Sequence, residues 1–183
     1  MNTKIKTNWV KEEYRNDTFS LVTENVTLPN GDLAEMSFIR HPGSSGIVPM
    51  LDDDTVVLTL QYRHPVGRWM LEIPAGTMIP GESPLACAKR ELEEEAGFSA
   101  EEYTGLSQIH ILPSYSDETI HIFLARDLKL SRPKPDKDEI IQVVAYPRDE
   151  VMRMIGAGEI TCALTVVAMQ QACGYLDREK SAV

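Results

Sequence analysis

Runs of β-branched and apolar residues, separated by Gly-, Pro- and Asn-rich breaks, mark out most of the chain. Thr55–Tyr62 (TVVLTLQY) has the composition of a buried strand. Phe19–Leu28 and Leu33–Arg40 are strand-like runs around Pro29-Asn30-Gly31-Asp32, a hairpin signal. His41–Gly46, with Pro42, Gly43 and Gly46, reads as a breaker and a junction. Met70–Pro74 predicts a short strand running into Ala75-Gly76. Leu106–Leu112 and Thr119–Arg126 predict strands flanking Pro113–Glu118, and Ile140–Tyr146 predicts another. Charged Arg132–Glu139, with two prolines, predicts an exposed loop. Pro147–Ile155 and Ala163–Leu176 predict helices. Strands and helices mix without regular βαβ alternation, which predicts an α+β fold or an α/β sandwich.

The helix that matters most lies in Gly76–Phe98. Ser83 suits an N-cap, Pro84 the first helical position and Gly97 the position past the end. Leu85, Ala88, Leu92 and Ala96 recur at helical spacing as one apolar face. Glu91, Glu94 and Glu95 share another face, at i, i+3 and i+4. Like charges so placed cost a helix about 0.2–0.5 kcal/mol per pair. Acids near a C-terminus also oppose the helix dipole by about 0.3–1 kcal/mol each. Arg90 relieves part of this. A hard divalent cation with oxygen ligands would relieve the rest; an ordinary solvated acidic face is the alternative.

Composition narrows the classes. The 183 residues suffice for one domain with a real core. A net charge of −10 argues against nucleic-acid binding and requires local positive charge or metal at any anionic substrate. Cys87, Cys162 and Cys173 are odd in number and lack CxxC spacing, so a reduced, cytoplasmic protein is expected. The N-terminus has no apolar signal core and no apolar run reaches ~18 residues, so neither export nor a membrane partner is expected. His41, His64, His110 and His121 lack metal-ligand spacing and read as structural or surface residues.

The stretch reads Gly76, five residues, Glu82, seven residues, then Arg90-Glu91-Leu92-x-Glu94-Glu95-x-Gly97-Phe98. This resembles the Nudix box at every defined position. The resemblance implies a metal-dependent hydrolase that cleaves a nucleoside diphosphate linked to another group. It implies an α/β/α sandwich around a mixed sheet. Residues 1–41 would form an N-terminal β segment and 42–183 the hydrolase domain. By the same resemblance Mg²⁺ or Mn²⁺ is held by Glu91, Glu95 and the Ala75 carbonyl, with Glu94 a ligand or a support. Glu82 and Arg90 pair as a brace, and Glu93 is solvated.

Features outside the box narrow the resemblance. Gln61-Tyr62-Arg63 followed by Leu71-Glu72-Ile73-Pro74-Ala75-Gly76 is similar to the lead-in of ADP-ribose pyrophosphatases, as is Pro113, sixteen residues after Gly97. The likeness implies that Arg63, and more weakly Arg68, contact the substrate diphosphate. Glu118, five residues after Pro113, would act as general base, with Asp117, Glu94 and Glu95 as competitors. Trp9, ahead of Tyr14 and Phe19, would stack on the base from a swapped partner subunit, which implies a homodimer; a packing role is the alternative for it. Leu112-Pro113-Ser114 departs from the usual Ser-Pro-Gly, losing a glycine's backbone freedom. Another nucleoside diphosphate sugar, with GDP- or UDP-linked hexose, therefore stays open beside ADP-ribose. So do a triphosphate pool-sanitising pyrophosphatase and a non-catalytic nucleotide-sensing module.

Overall fold

The computed structural model describes residues 4–131 and 140–181. The loop expected at Arg132–Glu139 lies outside them. Two compact units emerge. One comprises the residues up to Gly43 together with His110–Thr119; the other comprises Ser44–Ile109 and the residues from Ile120 onward. The division thus falls two residues later than the sequence placed it and takes the 110–119 segment with the N-terminal strands.

The N-terminal unit is built on an antiparallel sheet of β1 (Lys6–Arg15), β2 (Ser20–Thr27) and β3 (Leu33–Arg40), in that order. Gly31, at φ 93°, closes the β2–β3 turn and donates to Leu28 O at 2.9 Å. Val22 and Val26 alternate inward, whereas all ten residues of β1 are exposed. With no buried face, β1 had no period for the sequence reading to find. Two backbone bonds fasten the 112–117 loop to β3: Ile39 N–H to Tyr115 O at 2.8 Å, and Asp117 N–H to Ile39 O at 3.1 Å.

The second unit contains β4 (Ser44–Pro49), β5 (Thr55–Arg63), β6 (Arg68–Glu72), β7 (Ala75–Thr77), β8 (Phe98–His110), β9 (Thr119–Leu130) and β10 (Ile141–Pro147). Its helices are α1 (Pro84–Glu91), α2 (Arg148–Gly156) and α3 (Ala163–Ser181). The sheets run β10-β5-β6 and β7-β4-β9-β8. β4 pairs parallel with β9 and antiparallel with β7, so the larger sheet is mixed.

β4 shows how the helices flank that sheet. Ile47 packs with Ala88, Leu92 and Ala96 of the α1 helix and its continuation, and Ser45 donates to Pro84 O at 2.8 Å. The intervening Gly46 faces the other way, with Leu164 of α3 3.2 Å from where a Cβ would stand. Alternate residues of one strand therefore meet helices on opposite sides, an α/β/α sandwich.

The sequence took His41–Gly46 for a junction; its second half, Ser44–Gly46, is the start of this fully buried strand. Leu85 is likewise corrected. It is exposed, and Cys87 is buried in the helix instead. β8 begins at Phe98, eight residues before the expected strand, and α3 extends to Ser181.

Candidate functional site

The α1 helix begins as its sequence dictates, with Ser83 Oγ accepting from Ala86 N–H at 3.2 Å and Pro84 in the first turn. Leu92–Ala96 continues it as a π turn, and Gly97, at φ 71°, ends it with its N–H on Glu93 O. Widened turns of this kind occur frequently at functional sites.

Glu91 ends α1 and the turn carries Glu93, Glu94 and Glu95; Glu91 and Glu95 are buried and Glu93 is exposed. Buried carboxylates need partners, or they cost several kcal/mol each. Arg90 supplies one to Glu91 and binds Glu82 and Glu94 as well. Its Nε and Nη2 fork onto Glu82, each at 2.9 Å; its Nη1 donates to Glu91 at 2.6 Å and Glu94 at 2.9 Å; and Nη2 also reaches Thr77 O at 3.0 Å. The hydrogen bonds from Arg90 hold the Glu82 carboxyl below its ordinary range, and those same bonds raise the Arg90 pKa. The brace expected between Glu82 and Arg90 is thus formed.

The backbone ahead of the helix completes the site. Ala75 N–H donates to Glu95 Oε2 at 2.9 Å. Gly76 lies so close to Glu91 that a Cβ there would fall on its carboxylate. Cys87, whose thiol burial and the Glu91 charge push up to about 11, donates to Gly76 O at 3.4 Å.

In kind these groups fit a hard dication: two buried carboxylates, a third at the surface, and the peptide backbone at Ala75–Gly76 against them. Among the described residues no three acidic, His or Cys side chains are gathered around a single metal position. The Arg90 guanidinium stands between Glu91 and Glu94 instead.

Arg63 closes the same region. Its Nε and Nη2 donate to Glu72 Oε2 at 3.0 and 2.6 Å. Burial pulls the Arg63 pKa down, but the bonds to Glu72 and the charges of Glu72 and Glu95 outweigh it and leave the pKa raised. Arg68 is the cross-strand partner of Arg63 in the β5–β6 hairpin and donates to Thr161 Oγ1 at 2.6 Å.

The structure therefore brings Ala75, Glu91, Glu94 and Glu95 to one place; Arg63 lies within reach of the Glu95 charge, with Arg68 its cross-strand partner. Glu118 and Trp9 belong to the N-terminal unit. There Glu118 Oε1 lies 3.7 Å from His41 Nδ1, and the neighbouring Asp117 accepts from His41 N–H at 2.8 Å. Trp9 is exposed on β1.

Two residues in contact with the arginines had no assigned role in the sequence reading. Glu72 was visible only as a letter of the lead-in, and its burial is what singles it out. Thr161 lies 93 residues from Arg68, too far for any local pattern to pair them.

The NUDIX domain model matches residues 40–163. The chain is 34% identical over 152 residues to the ADP-ribose pyrophosphatase of Bacillus subtilis (strain 168), covering 82% of each protein. It is equally similar, with the same coverage, to the methanol dehydrogenase activator of Bacillus methanolicus. A crystal structure of an ADP compounds hydrolase superposes with a TM-score of 0.81 at 26% identity, covering 96% of both chains. No helix among the described residues is long and apolar enough to cross a membrane. Box geometry, domain match and relatives agree: the chain belongs to the Nudix family and is a Nudix pyrophosphohydrolase.

Proposed function

We propose that this protein hydrolyses the pyrophosphate bond of ADP-ribose or another nucleoside diphosphate sugar in the cytoplasm, releasing a nucleoside monophosphate and a sugar phosphate. The observation that carries the reading is the pair of buried carboxylates, Glu91 and Glu95, held against the Ala75–Gly76 backbone. The likeness to an ADP-ribose pyrophosphatase supports the substrate class.

Glu91, Glu95 and the Ala75 carbonyl would hold Mg²⁺ or Mn²⁺, with Glu94 as a further ligand or support. Bound there, such an ion would supply charge neutralisation to the phosphate oxygens in hydrolysis. Arg63 and Arg68 grip the diphosphate; a guanidinium fork matches its oxygens in a way a lysine does not. Glu118 orients the attacking water and takes its proton, and Glu94 or Glu95 takes that part if Glu118→Gln keeps its kcat. A second copy of the chain covers exposed β1, whose Trp9, Val10 and Tyr14 lie open, and Trp9 stacks on the base. Light scattering reads this directly: a dimer is expected, and a monomer would remove Trp9 from the site.

The deciding assay offers ADP-ribose, GDP-mannose, UDP-glucose, a diadenosine polyphosphate and 8-oxo-dGTP to the protein with Mg²⁺ or Mn²⁺. Turnover of a nucleoside diphosphate sugar above a Glu95→Gln control is expected. Preference for 8-oxo-dGTP would favour a pool-sanitising enzyme. The likeness to an activator protein favours one other reading, a nucleotide-sensing module. Tight binding of a nucleotide sugar without turnover would establish it.

A further inference from the structure

Arg63 and Arg68 stand directly opposite each other at the closed end of the β5–β6 hairpin. Like charges facing across a strand pair destabilise it, so the hairpin end is arranged against its own stability. Only His64–Gly67 separates the two, and Gly67, at φ 70°, donates to Arg63 O at 2.9 Å to close the turn. An anion lying across both guanidiniums would turn this repulsion to use.

The side chains behind the pair are firmly fixed. Glu72 is 5% exposed, and its Oε2 takes both Nε and Nη2 of Arg63. That engages one edge of the guanidinium and leaves Nη1 on the other edge. The backbone of Glu72 is itself pinned: Thr59 Oγ1 donates to Glu72 O at 3.3 Å, and Ile73 N–H donates to buried Thr165 Oγ1 at 3.0 Å. Thr165 lies in the first turn of α3, and Thr161, just before that helix, accepts from Arg68. One rigid corner, made by the end of β6 and the start of α3, therefore holds both arginines.

We propose that Glu72 and Thr161 are positioning residues that set Arg63 and Arg68 as a single two-guanidinium clamp for the substrate diphosphate. The proposal rests on the reading of Arg63 as a diphosphate ligand and goes beyond it: the arginines act as a pair, and residues that never touch the substrate fix their aim. Glu72 gives Arg63 a fixed bearing without consuming its outer edge. Thr161 holds Arg68 by a neutral hydroxyl, so its full charge stays available to an anion.

The test is steady-state kinetics on ADP-ribose with Mg²⁺, alongside thermal melts. Glu72→Gln and Thr161→Val should each raise KM about tenfold, the lower end of what loss of an outer-shell partner costs a metal site, with a smaller change in kcat. Thr161→Ser, which keeps the hydroxyl, should keep the wild-type KM. Arg63→Ala should raise KM at least as much as Glu72→Gln, and the double variant should cost no more than Arg63→Ala alone, because Glu72 acts only through Arg63. A Glu72 with a merely structural role would lower the Tm and leave the KM of the folded protein unchanged; that overturns the proposal. Since Glu72 is buried and its variant risks misfolding, exposed Thr161 carries the test independently: unchanged KM in Thr161→Val also overturns it. Unchanged KM in Arg63→Ala brings down the diphosphate reading itself, and the clamp with it. A raised KM in Arg63→Ala with unchanged KM in both Glu72→Gln and Thr161→Val brings down the clamp alone.

Discussion

Two arginines in this protein are surrounded by carboxylates in nearly the same way. Arg90 holds Glu82, Glu91 and Glu94; Arg153 on α2 holds Glu150 and Glu159 with four bonds of 2.8–3.2 Å. In both, hydrogen bonds to glutamate raise the guanidinium pKa. Their surroundings differ. The Arg153 side chain is 52% exposed and its partners are open to water, whereas Glu91 beside Arg90 is buried and only 27% of the Arg90 side chain meets solvent. Water screens the first cluster and takes over any bond it loses. In the second, a lost partner strands a carboxylate with little water to replace it. The number of ion pairs does not distinguish a site from a decorated surface; the solvation of the acids does.

The sharpest way to break the buried cluster leaves every charge in place. Gly76→Ala puts a methyl group where the Glu91 carboxylate sits, and the carboxylate must move. Displacing a reacting constellation by about 1 Å costs on the order of 100-fold in rate. We expect kcat for a nucleoside diphosphate sugar to fall by about that factor, with the folded state shown intact by circular dichroism. Unaltered kcat would mean that the Glu91 carboxylate has no part in turnover.

Arg90→Ala comes next. Breaking a fully buried pair costs about 3–5 kcal/mol. The partial exposure of Arg90 reduces this to about 2–3 kcal/mol, or roughly 5–10 °C in Tm for a chain of this length. Calorimetry of the variant checks it.

The same contrast explains what the sequence disclosed. The box helix was legible because its cap, its acid face and its terminal glycine are all local signals, each within a turn or two of the next. β4 was not. It is central and fully buried, yet it opens Ser44-Ser45-Gly46, which reads as a break. Those residues are there for close approach: Leu164 and Ile73 carbons crowd the place of a Gly46 Cβ, and Ser45 bonds the start of α1. A strand pressed between two helices has its residues chosen by contact, not by alternation. Leu85 failed in the opposite sense, since it has the spacing of the apolar face but lies in the first turn, before the helix meets the core. The division into units was only partly legible, because nothing local ties His110–Thr119 to strands some 75 residues earlier. The supports of the arginine pair were invisible for the same reason.

A smaller effect separates the clusters by pH. The Glu82 carboxyl is held below its ordinary value of 4.5, chiefly by the Arg90 hydrogen bonds. A depressed folded-state pKa contributes stability that is present above the unfolded value and is lost as pH falls through the folded one. Tm should therefore decline below about pH 4.5, and Glu82→Gln should flatten that decline while lowering Tm at neutral pH. If the acid slope is the same in both proteins, the brace contributes nothing that protonation can remove.

The smallest expected effect is the control that gives the comparison its meaning. Arg153→Ala removes four hydrogen bonds to glutamate on paper, as many as the same change at Arg90 removes from Glu82, Glu91 and Glu94 together. Glu150 and Glu159 are accessible, and their carboxyls, now held low mainly by the Arg153 hydrogen bonds, would be solvated in its place. We expect no measurable change in Tm, in the acid slope or in kcat. Should Arg153→Ala lower Tm as far as Arg90→Ala does, the contrast drawn from solvation fails, and burial of Glu91 loses its standing as the feature that sets the box apart.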